Sequence, residues 1–269
     1  LNLFQHGRYS LYEIFNRCSA VSMNVNISSP SKPLCLSPAF HALDPSEKGM
    51  VSYHLGMMTT KLCAHELLDT PRLVHLNWME KSGNLSNLPK SRSRADLLGE
   101  SQKTGKWSLF EAKGRSGKFS QDVLDGAKTQ AQMSILVDGQ PLDMGIACAL
   151  FTKDQLDFHW NDPEFGDEEP LVLKPTRETW KAYYGNAIAL YEFQQEFPEA
   201  VTRLLNFNLD VDPKVLEFVR YLDEPENERW RETFPTFTRD TQKLEDDQGH
   251  RFFRGLDGIS IRLSEEMLE

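Results

Sequence analysis

Hydrophobic residues between positions 46 and 68 recur every three to four positions, the spacing of one face of an α-helix. The stretch opens at Ser46, a residue type that often caps the start of a helix, so we expect the helix to begin there. This stretch is predicted to be a helix with one buried face, whose apolar positions are Met50, Val51, Leu55, Met58, Leu62, Cys63 and Leu67.

The pattern then changes to short stretches that are typical of strands. Residues 74–80 alternate between apolar and polar side chains, and shorter strand-like stretches follow at 95–99 and 107–112. Residues 121–137 return to helical spacing, and the nearly continuous apolar run at 144–152 is typical of a strand covered on both faces. The order helix, three strands, helix, strand predicts an α/β sandwich.

This order divides the chain into three parts. A core is expected at 47–160, preceded by an N-terminal segment, 1–46, that packs on it. Within that segment, residues 9–15 fit either a strand or a short helix. A third part, 161–269, is acidic and forms a separate C-terminal region.

The C-terminal region is predicted to be mostly helical. Apolar stripes run through 179–197, a continuation is expected at 200–205, and a further helix is expected at 213–222. Pro213 suits the first turn of that helix, with Asp212 as its cap. Only the last stretch, FRGLDGISIRL, is typical of a turn followed by a strand.

The composition is that of an ordinary globular protein, with 39% apolar and 26% charged residues among 269. No apolar run approaches the roughly 20 residues that would cross a bilayer, and the first residues lack the pattern of a signal peptide. We therefore expect a cytoplasmic protein with no membrane partner. The cysteines form no C-x-x-C pair, so reduced thiols and no structural zinc are expected at Cys18, Cys35, Cys63 and Cys148.

Charge is distributed unevenly along the chain. The formal net charge of −10 by itself argues against binding to nucleic acid. Residues 81–118 nevertheless contain nine Lys and Arg against three Asp and Glu, a local balance of +6. This asymmetry favours a local anion-binding face, although plain solvated loops would explain it equally well. The basic side chains considered for phosphate contact are Arg92, Arg94, Arg115 and Lys118.

Two carboxylates and a lysine form the candidate site. Glu111 and Lys113 are two residues apart on a predicted strand, so their side chains point to the same face. A hairpin with the preceding strand would bring Asp96 beside Glu111. Neighbouring carboxylates repel unless a divalent cation lies between them, and Mg²⁺ needs only one or two carboxylates in addition to waters and phosphate oxygens. Lysine on that face could orient or deprotonate an attacking water.

An E-x-K triplet alone is a weak signal. Its simplest interpretation is a solvent-facing ion pair on a strand, worth under ~1 kcal/mol. Here the triplet follows an apolar strand that contains Trp107, Leu109 and Phe110, and Gly114 is expected to break the strand after it. This context favours a site over a surface ion pair.

The combination of Asp96, 14 intervening residues and E-A-K-G, with a helix before and after, resembles the PD-(D/E)XK nuclease superfamily, which includes many restriction enzymes. The resemblance covers about residues 47–152. It implies a restriction-endonuclease-like core of helix, three-stranded antiparallel meander, helix and strand. It also implies that Asp96, Glu111 and the carbonyl of Ala112 bind Mg²⁺, for which Mn²⁺ can substitute, and that Lys113 is catalytic.

Superfamily members often carry a polar residue on the helix after E-x-K. The resemblance therefore implies a catalytic supporting role for Gln130 and a nucleic-acid contact for Lys128. Two features depart from the family pattern. Ala95 stands where the family often has proline, and neither Glu47 nor Glu66 fits the extra acid that many members carry on the first helix.

These features predict a magnesium-dependent nuclease, with DNA as the expected substrate. The chain also resembles uncharacterised prokaryotic nuclease-like proteins, which implies a role in antiviral defence and, since many double-strand cutters pair two sites, a homodimer. The alternative is a catalytically silent subunit on the same fold that docks a partner protein through the acidic C-terminal region. A further alternative is an effector that stays silent until it is activated.

Overall fold

The computed structural model describes residues 8–26, 34–82, 84–86, 94–153, 155–205, 207–224, 228–237, 244–245, 251–255 and 257–263. The chain divides into two compact units, which we term the core unit (residues 20–175) and the C-terminal unit (residues 1–19 and 176–269). The core unit thus extends past the boundary expected near residue 160, and the N-terminal segment contributes residues to both units.

Helix α1 spans Arg8–Asn24, and its residues are divided between the two units. Residues 9–15, which fitted either a strand or a short helix, are therefore helical. The core unit continues with β1 (Val25–Asn26), β2 (Cys35–Leu36), α2 (Pro38–Ala42), α3 (Pro45–Leu68), β3 (Arg72–His75), α4 (Leu76–Lys81), β4 (Leu85–Ser86), β5 (Leu97–Glu100), β6 (Trp107–Arg115), α5 (Gln121–Ala131), β7 (Ile135–Val137), β8 (Gln140–Pro141), β9 (Met144–Thr152), β10 (Leu156–Asn161) and β11 (Leu171–Leu173).

A five-stranded central sheet in the order β10–β9–β6–β5–β3 lies between two helices. Strands β6 and β9 are parallel, while the pairs β10–β9, β6–β5 and β5–β3 are antiparallel. On one face, Ala64 of α3 packs with Phe110 and Cys148. On the opposite face, Ala127 and Ala131 of α5 pack with Ala147, which alternates with Cys148 along β9. The predicted α/β class is confirmed.

Helix α3 begins at a different cap from the one expected. Asp44, not Ser46, is the N-cap, because its carboxylate accepts hydrogen bonds from the backbone N–H groups of Ser46 (2.7 Å) and Glu47 (3.0 Å). The Glu47 carboxylate accepts from the Asp44 N–H at 3.1 Å, which completes a capping box. Pro45 fits between them because the first turn of a helix needs no backbone donor there.

Two elements of the core unit differ from the predicted strand at 74–80 and the predicted helix at 121–137. Strand β3 stops at His75, and a short helix follows in which Leu76 and Met79 are both buried, so helical spacing prevails over alternation. Helix α5 stops at Ala131, and strand β7 instead pairs in parallel with β11. The burial of Ile135 at alternate spacing with its neighbours shows why a strand forms there.

The C-terminal unit contains α6 (Arg177–Glu196), α7 (Pro198–Leu205), β12 (Phe207–Val211), α8 (Pro213–Asp223), a 3₁₀ turn (Glu228–Arg231), β13 (Leu244–Glu245), β14 (Arg251–Arg254) and β15 (Ile259–Leu263). The Asp212 cap is confirmed, since its carboxylate accepts from the Lys214 N–H at 2.9 Å. The prediction of a mostly helical region missed an antiparallel sheet in the order β12–β15–β14–β13. Phe207 pairs with Leu263, so the partner strands are too far apart in sequence for a local pattern to reveal them.

Within the described part of the chain, no helix has both the length and the apolar character needed to cross a membrane. The four cysteines are free thiols, and Cys63 and Cys148 are buried in the core as apolar side chains.

Candidate functional site

The start of β5 places Asp96 beside the middle of β6. Leu97 pairs with Phe110, and the Asp96 N–H donates to the Phe110 carbonyl at 3.1 Å. The Asp96 carboxylate in turn accepts a hydrogen bond from the Ala112 N–H at 3.1 Å. The Asp96 side chain therefore takes the place of a backbone acceptor for the Ala112 N–H, and this bond holds it next to Glu111.

Strand β6 directs Glu111 and Lys113 toward α5. Phe110 faces α3, so the alternating residues Glu111 and Lys113 face the other side of the sheet. The Lys113 ammonium donates to Glu111 Oε1 and also to Gln130 Oε1 on α5. Gln130 Nε2 donates to the Arg94 carbonyl at 3.0 Å. One network thus brings together Asp96, Glu111, Lys113 and Gln130, the four residues predicted as catalytic.

Glu111 is the most buried member of this network. Its side chain is 1% exposed, whereas that of Lys113 is 22% exposed. One carboxylate oxygen, Oε2, is buried with no hydrogen-bond partner among the described residues. An unsatisfied buried polar atom costs about 1–3 kcal/mol, and more when it is charged. A cation bound between this oxygen and the second carboxylate would satisfy it.

The environment of the two carboxylates raises both of their pKa values. Burial, followed by the charge of Asp96, raises the pKa of Glu111 to about 7, against the opposing hydrogen bond and charge of Lys113. Burial likewise raises the pKa of Asp96, against the opposing effects of the Ala112 N–H and the Lys113 charge. Near neutral pH, the Glu111 carboxyl is therefore only partly ionised, and a divalent cation would compete with its proton.

This pKa shift predicts that the protein loses folding stability as pH rises. The pKa of Glu111 is raised from 4.5 to about 7 in the folded protein, so between these values the folded chain holds a proton that the unfolded chain has released. The stabilisation is complete below the lower pKa and is lost as pH rises through the upper one. In EDTA, Glu111→Gln should be more stable than wild type by about 2–3 kcal/mol near pH 8, and about equal to it near pH 4.5.

Urea unfolding of both proteins at the two pH values measures this difference. Glu66→Gln is the matched control, because Glu66 is exposed and pairs with His65 on the far part of α3. Parallel stability curves for wild type and Glu111→Gln would contradict the burial of an ionisable group at this position.

The donor set fits magnesium. No group of three or more His, Cys, Asp or Glu that could hold a metal occurs among the residues that the structure describes. The acids available at this site are therefore the two carboxylates of Asp96 and Glu111. Mg²⁺ accepts such a set because it keeps several waters. The Ala112 carbonyl leaves β6 on the same edge as its N–H, which points at Asp96. Glu47 is engaged in the cap of α3 and Glu66 pairs with His65, so neither supplies a further ligand.

The predicted phosphate-binding residues occupy different settings. Arg92 lies outside the described residues. Arg94 forms an ion pair with Glu80 of α4, and Lys128 pairs with Asp125 at 3.1 Å instead of joining the lysine network. Arg115, the last residue of β6, and Lys118, on the loop that leads into α5, are exposed. Of the predicted phosphate-binding residues that the structure describes, these two are the exposed ones.

Sequence reasoning missed two glycines that position β6 against α3. A Cβ on Gly114 would lie 1.8 Å from the Ser52 carbonyl oxygen, and one on Gly56 would lie 2.8 Å from the Gly114 nitrogen. Helix α3 therefore packs directly on the backbone of β6, and the strand runs through Gly114 to Arg115 instead of breaking there. The only sequence signal was glycine inside a predicted helix, at Gly56, and directly after the predicted strand, at Gly114, where it is disfavoured without a close backbone approach.

Comparisons of this chain with protein-family models, with curated proteins and with solved structures find no match.

Proposed function

We propose that the protein is a magnesium-dependent nuclease that hydrolyses phosphodiester bonds, with DNA as its substrate. One observation carries the proposal: Asp96, Glu111 and Lys113 meet at one point of the sheet, where a carboxylate oxygen of Glu111 is buried without a partner in the described chain. A surface ion pair would need neither the burial nor the second acid. A site that binds a cation next to a lysine needs both.

Each side chain has a role that follows from its contacts. Asp96 and Glu111 would bind the Mg²⁺ ion, together with the Ala112 carbonyl. Bound there, Mg²⁺ would lower the pKa of a water and neutralise charge on the phosphate. Lys113, whose side chain is 22% exposed on the same face, would orient that water and offset negative charge near the scissile bond. Gln130 would hold Lys113 in place through its own bond to the Arg94 carbonyl.

The element order supports the finer assignment of a restriction-endonuclease-like core. Helix α3, the antiparallel strands β3, β5 and β6, helix α5 and strand β9 follow in the order that the sequence resemblance implies. The short helix α4 and strand β4 are inserted between β3 and β5. Asp96 lies just before β5 and Glu111 lies on β6, close to the positions where that superfamily is expected to carry its acids.

The experiment that tests the proposal is a cleavage assay with metal removal. Purified protein is incubated with supercoiled plasmid, linear duplex DNA, single-stranded DNA and RNA in Mg²⁺, Mn²⁺ or EDTA. We expect cleavage of DNA in Mg²⁺ and in Mn²⁺, none in EDTA, and recovery when excess Mg²⁺ is added to the EDTA sample. Mn²⁺ binding is measured in parallel by the loss of the electron paramagnetic resonance signal of the free ion. A protein that neither cleaves these substrates nor binds Mn²⁺ would contradict the proposal.

A further inference from the structure

The Lys113 ammonium bonds to two side chains of unlike character. Within the described chain, it donates to the carboxylate of Glu111 and to the neutral amide oxygen of Gln130. Glu111 is a candidate metal ligand, whereas Gln130 lies on α5 and is anchored at its other end by the Arg94 carbonyl, 3.0 Å away. The lysine therefore bridges the acid and a fixed acceptor on another element.

A divalent cation on Glu111 would lie close to this ammonium. Magnesium–oxygen distances are ~2.1 Å and charge-assisted N–H···O distances are ~2.8 Å, so two cations that share this carboxylate, one on each oxygen, would lie roughly 5–7 Å apart. Glu111 is 1% exposed, so little water or salt can screen them from each other. Binding of a cation must therefore weaken the bond between Lys113 and Glu111.

Gln130 offers the ammonium an acceptor that does not depend on Glu111. Nζ already bonds to Gln130 Oε1, so it can move off Glu111 by pivoting about that bond while one partner is kept. Without the amide, Nζ could leave Glu111 only by giving up the one of these two hydrogen bonds that remains. It would then stay on the carboxylate and oppose the cation more strongly.

We propose that Lys113 competes with the divalent cation for the Glu111 carboxylate. Gln130 raises the metal affinity by keeping a hydrogen bond to the lysine when Glu111 binds the metal. Gln130 is thus a positioning residue that acts on metal affinity through Lys113. The inference rests on the proposed function, since it concerns the same metal site.

A double-mutant cycle on metal binding tests this coupling. Mn²⁺ affinity is measured by electron paramagnetic resonance of the free ion for wild type, Lys113→Met, Gln130→Met and the double variant. Lys113→Met should bind Mn²⁺ at least about tenfold more tightly, because the competing charge is gone. Gln130→Met should bind it about tenfold more weakly when Lys113 is present, and within about twofold of Lys113→Met in the double variant.

Two further variants separate this role from a structural one. Gln130→Glu keeps an acceptor for Nζ and should bind Mn²⁺ at least as tightly as wild type. Lys128→Met removes a charge from the same helix, but that lysine pairs with Asp125, so the affinity should change by less than about twofold. Unfolding midpoints are recorded for each variant, and Gln130→Glu carries the test if Gln130→Met does not fold.

The outcomes distinguish the inference from the function on which it rests. If Lys113→Met binds Mn²⁺ no more tightly than wild type, the competition is overturned, while the nuclease proposal stands. If Gln130→Met weakens binding equally with and without Lys113, or if Gln130→Glu weakens it as much, the role of Gln130 is overturned. If neither wild type nor Lys113→Met binds Mn²⁺, the metal site and the inference fail together.

Discussion

Lys113→Ala should lower the rate of Mg²⁺-dependent DNA cleavage by about a thousandfold and leave the fold intact. The lysine is the cation that faces both the carboxylate of Glu111 and the partly open side of the site, so its loss removes the group that orients the water. The fold should survive because Glu111, with a pKa of about 7, can take up a proton when its partner is removed.

Initial cleavage rates on the best substrate and thermal unfolding midpoints measure the two parts of this prediction. Lys106→Ala is the matched control, because Lys106 is exposed just before the start of β6 and pairs with Asp143 at 2.7 Å. Its cleavage rate should stay within about threefold of wild type, as expected for an exposed ion pair. Full activity in Lys113→Ala would remove the lysine from the mechanism.

Gly114→Ala should destabilise the core unit by about 3 kcal/mol or more, because an added methyl group has no space. The new Cβ would lie 1.8 Å from the carbonyl oxygen of Ser52 and 2.4 Å from its carbon, both backbone atoms of α3. The helix would have to move away from the strand, and Ser52 would lose its buried contact with Thr152 on β9. Urea unfolding followed by circular dichroism measures the loss.

Gly117→Ala provides the control for this substitution. A Cβ at Gly117 would meet no described atom within 4 Å, so the change in unfolding free energy should be within about 1 kcal/mol of zero. Equal stability of Gly114→Ala and Gly117→Ala would show that α3 does not pack against the backbone of β6. Loss of activity by Gly114→Ala without loss of stability would point to the neighbouring Lys113 instead.

Local patterns in the sequence predicted the central elements and the site. The apolar run at 144–152 predicted a strand covered on both faces, which the structure has, and a period of two places Glu111 and Lys113 on one face of their strand. A supporting role for Gln130 followed from the family resemblance, but its contact with Lys113 did not. That contact depends on how α5 crosses the strand, which the 3.6-residue repeat alone does not determine.

Features that depend on distant partners were not predictable in this way. The alternation at 74–80 suggested a strand, but the burial of Leu76 and Met79 against the core turned it into a helix. Strand β7 forms because β11, more than thirty residues later, pairs with it. The Arg94–Glu80 ion pair likewise joins residues on separate elements, so the sequence assigned Arg94 to phosphate binding without showing its partner.

The position of β6 in the middle of the five-stranded sheet has a consequence for motion. Strand β6 pairs with β5 over residues 107–110 and with β9 over residues 108–115, so the peptide groups of Glu111 and Lys113 should exchange their amide hydrogens for deuterium more slowly than most of the chain. Asp96 sits just before a strand begins and Gln130 in the last turn of a helix, where fraying is easiest. Any opening that admits a substrate should therefore come from these two ends, around a rigid central strand.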